Sequence, residues 1–185
     1  KPATKNEIEL ELAWLVKNLP KDYKRHKSAN IRQAYLKGSE PSVKDVRVRE
    51  KNGVYTLTEK RFIKSPQETG YTQESTKKLT KEDFLKLWKI SKKRIKKIRY
   101  FYPLDNGLIA EIDIYKDNLE GLIVVEVEFP SILAYEKFVP PKWFGKEVTD
   151  SKGIYPPVIA NMDFEKVDKI NRKYKQKPHD FEEYD

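Results

Sequence analysis

The stretch VKDVRVREK-NG-VYTLTEKRFI, from Val43 to Ile63, carries the strongest folding signal in the chain. Valine and arginine alternate through Val46–Arg49, and side chains that alternate in this way lie on opposite faces of a β-strand. Asn52-Gly53 then interrupts the alternation with two residues that readily adopt the positive φ angles of a tight hairpin turn. The stretch therefore predicts an antiparallel hairpin of two strands, Val43–Lys51 and Val54–Ile63.

The sequence on either side of this hairpin repeats the two-residue period. Further strands are expected at Asn6–Val16, Ile31–Lys37, Tyr71–Leu79, Arg94–Tyr102, Leu108–Tyr115 and Leu122–Phe129. The period changes after Thr80, which together with Asp83 resembles a capping box, so Lys81–Ser91 is expected to be an amphipathic helix. Shorter helices are expected at Ser131–Phe138 and Asp163–Tyr174. About eight short strands with a few helices predict an antiparallel α+β fold.

The chain has 185 residues, a length that suits one domain better than two. We expect a single domain over residues 1–175, followed by a polar and mobile tail over residues 176–185. No cysteine is present, which excludes a disulfide framework, a thiol nucleophile and a thiolate metal site. The longest uninterrupted apolar run, Leu122–Val125, is too short to span a membrane, and no apolar signal-peptide core is evident. These features predict a cytoplasmic protein with no membrane partner.

The charge balance favours an anionic partner. The chain carries 38 Lys and Arg residues against 29 Asp and Glu residues, a formal net charge of +9, and its sequence pI is about 9.4. This excess alone does not choose between nucleic acid, phosphorylated metabolites and acidic lipid. The chain contains no recognition-helix motif and no aromatic-rich platform for single strands, so we expect no nucleic-acid partner.

The charges within the predicted strands occur in same-sign pairs two residues apart, which places each pair on one face of its strand. The pairs are Glu9 and Glu11, Arg47 and Arg49, Lys97 and Arg99, Glu111 and Asp113, and Glu126 and Glu128. Same-sign neighbours repel each other. Any one pair has an ordinary explanation as the solvated face of a sheet packed on helices, but so many pairs need a common reason.

A closed barrel with the charged faces inward supplies such a reason. Carboxylates bind hard divalent cations through oxygen, and arginine and lysine bind phosphate oxygens. Metal ions and cationic side chains around a polyphosphate are the usual equipment of phosphoryl transfer. Closure would also remove exposed strand edges. We therefore expect a closed antiparallel eight-stranded β-barrel with a few flanking helices and a wet, charged interior.

The charged pairs and the residues around them resemble the CYTH domain, or triphosphate tunnel metalloenzyme, family over roughly Glu7 to Ala160. Glu9 and Glu11 match the two acids of the family's opening Glu-x-Glu-x-Lys strand. The other matches are Arg47-Val48-Arg49, Thr58-Glu59-Lys60, Glu74, Lys97-Ile98-Arg99-Tyr100, Glu111-Ile112-Asp113, Gly121–Phe129 and Trp143–Thr149 followed by Tyr155. One Glu-x-Glu is weak evidence, whereas the full set of pairs in the family's order is strong evidence.

The resemblance implies an antiparallel tunnel that holds a triphosphate with Mg2+ or Mn2+. By matched position, the metal ligands would be Glu9, Glu11, Glu126, Glu128 and Asp113. The substrate-binding residues would be Arg47, Arg49, Lys60, Lys97 and Arg99, with Lys37 as an additional cation. The catalytic residues would be Asp113, Glu111 and Lys97. The implied reaction is in-line attack of water on the terminal phosphorus, with basic side chains stabilising the leaving pyrophosphate.

The sequence departs from the family at Ala13, which stands where the opening motif has its lysine. A methyl group can neither bind phosphate nor activate a nucleophile. Three explanations are open: a natural subgroup without this lysine, replacement by a nearby cation such as Lys37, or a substituted protein. Each allows phosphate binding, and under each the rate could be reduced.

The function that the resemblance implies is metal-dependent hydrolysis of a small triphosphate, inorganic triphosphate first and thiamine triphosphate second. Two alternatives stay open. Ala13 favours a non-catalytic module that binds a triphosphate or nucleotide, and the family also contains class IV adenylate cyclases. The expected partner is in each case a small anionic triphosphate, and the sequence leaves a homodimer open.

Overall fold

The computed structural model describes residues 10–16, 18–38, 43–63, 71–149, 154 and 156–174. Their strands are β1 (Leu10–Val16), β2 (Ser28–Leu36), β3 (Val43–Lys51), β4 (Val54–Ile63), β5 (Tyr71–Lys78), β6 (Lys93–Pro103), β7 (Ile109–Tyr115), β8 (Ile123–Phe129) and β9 (Phe144–Glu147). Their α-helices are α1 (Lys81–Ile90), α2 (Ile132–Lys137), α3 (Pro156–Ile159) and α4 (Phe164–Lys173). Within the described residues, no helix has the length and apolar character needed to span a membrane.

The chain divides into two compact units. The first unit contains Ile31–Ile95, and the second contains the described parts of Ile8–Asn30 and Lys96–Asp185. The boundaries between the units fall inside β2 and inside β6. The single domain over residues 1–175 stays a prediction, and the predicted tail over residues 176–185 lies outside the described residues.

The first unit is an antiparallel sheet with the strand order β5-β4-β3-β2. Strands β3 and β4 pair in a register that sets Lys51 opposite Val54, so a two-residue turn connects them. Asn52 and Gly53 have φ angles of 49° and 79°, the positive values that this kind of hairpin turn requires. The predicted hairpin is confirmed with its predicted bounds.

Helix α1 covers one face of the first unit's sheet. The helix begins after Thr80, whose hydroxyl accepts a hydrogen bond from the backbone N–H of Asp83, the arrangement of an N-terminal cap. Phe84 is fully buried and packs in one cluster with Ala34 and Val48. Because side chains alternate along a strand, the residues next to Ala34 and Val48 point to the other face. That face carries Gln33, Tyr35, Arg47, Arg49, Thr58 and Lys60.

The second unit is an antiparallel sheet with the strand order β6-β7-β8-β1-β9. Its apolar face forms a core together with the segment that follows β1. The buried members of this core are Trp14, Val16, Leu19, Tyr23, Ala110, Ile112, Ile114, Ile123, Val125, Val127, Phe129 and Phe144. Phe138, directly after α2, packs its ring 5.5 Å from that of Trp14 and 5.1 Å from that of Phe129. The alternate strand positions carry acidic and basic side chains. This sheet therefore has one apolar face and one charged face.

The described residues form nine strands rather than the predicted eight. The additional strand is β9, which pairs with β1 through Trp14 opposite Glu147 and Val16 opposite Phe144. It was missed because four residues after Pro140-Pro141 carry no periodic pattern, and pairing with β1 alone defines the strand. Closure into a barrel is not confirmed, because in neither unit do the outermost described strands pair with each other.

Strand β2 also differs from its prediction, because it begins at Ser28 instead of Ile31. The residues before Ile31 are mostly polar, but Ala29 is buried and continues the alternation. The backbone carbonyl of Lys27 accepts a hydrogen bond from the N–H of Phe101 on β6. Long-range backbone pairing thus extends a strand where the side chains give little indication of one.

Candidate functional site

Four carboxylates lie on the charged face of the second unit, on three adjacent strands. The pairing of β1 with β8 sets Glu11 opposite Glu128, and the pairing of β7 with β8 sets Glu111 opposite Glu126. Like charges placed directly opposite each other destabilise a sheet. The strand register therefore concentrates negative charge at a cost in stability, which is a usual property of a cation-binding surface.

The electrostatics of these carboxylates reflect their crowding. Partial desolvation of its carboxyl group, with added repulsion from Glu126 and Glu128, raises the pKa of Glu11 to about 8, although the residue as a whole is exposed. Burial also raises the pKa of Glu111 and that of Glu126, although Arg99 lies close to both. Groups with such raised pKa values are stabilised either by a proton or by a nearby cation.

A buried ion cluster lies beside the acidic residues. Arg99 donates from Nε and Nη2 to the two carboxylate oxygens of Asp113, over 2.7 Å and 2.8 Å. Lys97 donates from Nζ to Oδ2 of Asp113 over 2.5 Å. The Arg99 guanidinium also contacts Glu111 through Nη1, and its Nη2 lies 3.2 Å from an oxygen of Glu126. One arginine thus binds three carboxylates.

The buried charges of this cluster shift one another's pKa values. Asp113 has no exposed surface, and burial alone would raise its pKa, but Lys97 and Arg99 lower it to about 2. Burial lowers the pKa of Lys97, which Asp113 only partly offsets. For Arg99 the effect of the carboxylates exceeds that of burial, and its pKa is raised. Asp113 is therefore ionised and fully engaged at neutral pH, and Arg99 is charged with it.

The structure supports some of the predicted metal ligands better than others. Glu9, a predicted metal ligand, lies outside the described residues. In the described ranges, no three side chains among histidines and carboxylates are close enough together to hold a metal ion. Both oxygens of Asp113 already bind cations, so its predicted place among the metal ligands has no geometric support. Glu11, Glu126 and Glu128 have the right donor chemistry for a hard divalent cation.

A second charged surface, here called the basic face, lies on the first unit and consists of Arg47, Arg49 and Lys60. Glu74 on β5 is their acidic neighbour, 4.0 Å from Nη2 of Arg47 and 3.9 Å from Nζ of Lys60. The Nε atom of Arg47 is buried and has no hydrogen-bond partner among the described residues. A buried donor of this kind is costly unless a ligand satisfies it. The basic face is therefore suited to an anionic ligand.

Gln33 is a residue of this face that the sequence analysis missed. It is 1% exposed, and it stands directly opposite Arg49 in the β2–β3 register. A glutamine belongs to no charged pair, so the pattern that revealed the arginines could not include it. A strand prediction extended to cross-strand partners would have placed it beside Arg49.

Lys37, the predicted additional cation, lies on the surface. It follows β2 and is exposed.

Ala13 lies opposite Glu126 in the β1–β8 register, and its backbone N–H donates to the hydroxyl of Thr149 over 3.0 Å. The side chain at position 13 thus shares the charged face with Glu11, as the two-residue period predicts.

Comparisons with known proteins identify relatives of this chain. It is 36% identical over 146 residues to an inorganic triphosphatase from Nitrosomonas europaea, which covers 78% of this chain and 91% of that protein. A solved structure of an inorganic triphosphatase matches with a TM-score of 0.65 and 32% identity, over 83% of this chain and 95% of that one. No model of a known protein family matches the chain. Identity of this level over nearly the whole of the relative shows that the two proteins share a family.

Proposed function

The chain belongs to the CYTH, or triphosphate tunnel metalloenzyme, family, and from this premise we propose that it hydrolyses inorganic triphosphate to phosphate and pyrophosphate. The relative with 36% identity is an inorganic triphosphatase, which supports triphosphate as the substrate. In the proposed reaction, a water oxygen bonds to the terminal phosphorus while the bond from that phosphorus to its bridging oxygen breaks. Thiamine triphosphate is the second substrate class that family membership suggests.

The observation that carries this proposal is the opposition of acids on the second unit. Glu11 faces Glu128 and Glu111 faces Glu126, and partial desolvation with mutual repulsion raises the pKa of Glu11 to about 8. Repulsion between these carboxylates does not stabilise the folded protein. A divalent cation would relieve it, and divalent cations accompany polyphosphates in phosphoryl transfer.

The proposed cofactor is Mg2+, with Mn2+ as the alternative. Glu11, Glu126 and Glu128 would hold it, together with Glu9, since both ions prefer oxygen ligands. The three described carboxylates would have to move closer together around the ion, because no three of the described side chains form a metal site as they stand. When bound, the ion supplies Lewis-acid polarisation of the phosphoryl oxygens. Asp113 is a poor ligand in this arrangement because its oxygens bind Arg99 and Lys97.

We assign proton transfer to Glu111. This half-buried carboxylate has a pKa that burial raises, and a base whose pKa approaches the working pH accepts a proton from water more effectively. Asp113, with a pKa of about 2 and no exposed surface, is too weak a base and too enclosed. Its proposed role is to hold Arg99 and Lys97 in place as fixed positive charges.

The basic face supplies the proposed phosphate ligands. Arg47, Arg49 and Lys60 would donate to phosphate oxygens, Arg47 and Arg49 with the planar fork that matches such oxygens. The buried Nε of Arg47, which has no hydrogen-bond partner among the described residues, supports this role. Lys37 stays a predicted additional cation, because nothing in its exposed position ties it to an anion.

Ala13 favours a second candidate function, a module that binds triphosphate without hydrolysing it. Its side chain is at the position of the family lysine, opposite Glu126. Loss of a cation that stabilises the transition state lowers the rate more than it lowers ground-state binding. A protein with this change can therefore bind its ligand and turn over slowly.

Phosphate release measured with the purified chain tests the proposal. Inorganic triphosphate, thiamine triphosphate and ATP are compared, each with Mg2+, with Mn2+ and with EDTA. We expect release from inorganic triphosphate in the presence of a divalent ion, and loss of that release in Glu126→Gln. Glu136→Gln, a change of the same kind on the exposed surface of α2, serves as the matched control and should behave like the unchanged chain.

Other outcomes would point elsewhere. Triphosphate binding without phosphate release, with release appearing in Ala13→Lys, would support the binding module. Formation of cyclic AMP from ATP would support a cyclase. Absence of both binding and release for every triphosphate would refute the proposal.

Three further features stay proposals based on family membership and composition. These are closure of the strands into a barrel, a cytoplasmic location and a homodimer. The absence of cysteine supports a reducing compartment. Sedimentation of the purified chain would test the homodimer independently of its activity.

A further inference from the structure

Gln33 is a buried polar residue that needs an explanation. It lies on β2 with 1% of its surface exposed, and glutamine is one of the residues least often fully buried. An aliphatic side chain at this position would avoid the cost of removing an amide from water. The amide is therefore retained for what it contacts.

The contacts of Gln33 are specific. Its Oε1 accepts hydrogen bonds from both Nε and Nη2 of Arg49, over 3.2 Å and 3.1 Å. Its Nε2 donates to the hydroxyl of Tyr35 over 2.7 Å. A guanidinium can only donate hydrogen bonds, so the end of the amide that faces Arg49 is the carbonyl oxygen. The guanidinium plane of Arg49 is held by two N–H groups at once.

Gln33 is a neutral hydrogen-bond partner for Arg49. An amide oxygen orients a guanidinium as a carboxylate does, but it carries no charge. Arg99 shows the alternative, because Asp113, Glu111 and Glu126 surround it and compensate its charge. As a neutral partner, Gln33 itself adds no negative charge to a face that is suited to an anion.

We infer that Gln33 is a positioning residue, which fixes the guanidinium of Arg49 for a phosphate group of the substrate without neutralising its charge. This inference rests on the proposed function, since it requires that Arg49 bind the triphosphate. It assigns Gln33 no contact with the reacting atoms. Gln33 raises the affinity for substrate indirectly, because it restricts the side chain of Arg49 before the anion binds.

Binding of a non-hydrolysable imido analogue of triphosphate, in the presence of Mg2+, tests this inference by titration calorimetry. Gln33→Met should weaken binding about tenfold, because Arg49 loses the acceptor that Gln33 supplies. Gln33→Glu keeps an acceptor but adds a negative charge, and should weaken binding by a larger factor, about 10- to 100-fold. In an Arg49→Met background, Gln33→Met should cause no further loss.

A matched control separates positioning from stability. Asn171 on α4 is another buried amide, which donates to the carbonyl of Gly121, so Asn171→Leu should lower the melting temperature and leave binding of the analogue unchanged. In hydrolysis assays, Gln33→Met should raise KM more than it lowers kcat. Circular dichroism of each variant confirms that it is folded.

Two results would overturn the inference. Gln33→Glu that binds the analogue as tightly as the unchanged chain would show that the neutral charge is irrelevant. Additive losses in Gln33→Met and Arg49→Met would show that Gln33 does not act through Arg49. If the unchanged chain binds no triphosphate or analogue, the proposed function itself fails and this inference fails with it.

Discussion

Arg49 in the first unit and Arg99 in the second are both β-strand arginines, but their partners differ. Arg49 donates two N–H groups to the neutral amide of Gln33. Arg99 contacts three carboxylates, and one of them, Asp113, is completely buried. Three carboxylates compensate the charge of Arg99, whereas the amide of Gln33 orients Arg49 and adds no charge of its own. The difference separates an arginine that carboxylates hold from one that a neutral amide orients.

Removal of the Asp113 charge should produce the largest effect. Asp113→Asn leaves Lys97 and Arg99 buried without their main counter-ion, and breaking a buried pair in this way costs about 3–5 kcal/mol. Urea denaturation should show this as a lower midpoint. Asp168→Asn is the control, since its carboxylate pairs with the exposed Arg172 over 2.8 Å and such pairs contribute about 0.3–0.5 kcal/mol. Equal midpoints for the two variants would remove the basis of the comparison.

Arg49→Gln should have the opposite profile. We expect triphosphate affinity to fall about 10- to 100-fold, because hydrogen bonds to charged groups contribute about 1.5–3 kcal/mol. Stability should change far less than in Arg99→Gln, which breaks three carboxylate contacts. Calorimetric titration with the imido analogue and urea denaturation of both variants measure the two quantities. An Arg49→Gln variant that binds normally would show that the basic face does not serve the triphosphate.

The acidic face should make the stability of the EDTA-treated protein pH-dependent. The pKa of Glu11 is about 8 in the folded chain, against an ordinary value of 4.5. A carboxyl group with a raised folded-state pKa contributes fully below its unfolded pKa, and that stability is lost as the pH rises toward 8. The melting temperature in EDTA should therefore fall over this window, by less in Glu11→Gln. Because Glu11 is accessible to solvent, the effect should be modest; an unchanged slope in the variant would contradict it.

Glu74→Gln should give the smallest effect and sharpen the assignment of the basic face. Glu74 lies 3.9 Å from Lys60 and 4.0 Å from Arg47, so it competes with an anion for both cations. Removing its charge should strengthen binding of the imido analogue by up to about fivefold, as expected for partly exposed pairs. Glu59→Gln, on the neighbouring strand β4 and paired with Arg61, is the control. Weaker binding in Glu74→Gln would place Glu74 among the groups that hold the ligand.

The sequence predicted much of the fold, because alternation and turn chemistry are local. The Asn52-Gly53 hairpin and helix α1 have almost the predicted bounds. Short segments defined by distant pairing were missed or misplaced. Strand β9 and the start of β2 depend on backbone partners elsewhere in the chain, and no periodic pattern marks them.

For the candidate site, the sequence predicted which side chains share a face but not which of them contact each other. Alternation correctly put Lys97 and Arg99 on one face of β6, where both are buried. It could not show that they turn toward Asp113, because that contact depends on the register that sets Arg99 opposite Asp113. Gln33 was missed for the same reason, since only its cross-strand position beside Arg49 gives it a role. Residue types predict the chemistry available to a face, and register decides which partners use it.

The most direct test of triphosphate hydrolysis is 31P nuclear magnetic resonance of inorganic triphosphate incubated with the purified chain and Mg2+. The account predicts that the triphosphate signals disappear and that phosphate and pyrophosphate appear in equal amounts, with no change in a parallel sample that contains EDTA. Persistence of the triphosphate signals in Mg2+ and in Mn2+ alike, at enzyme concentrations approaching that of the substrate, would contradict it.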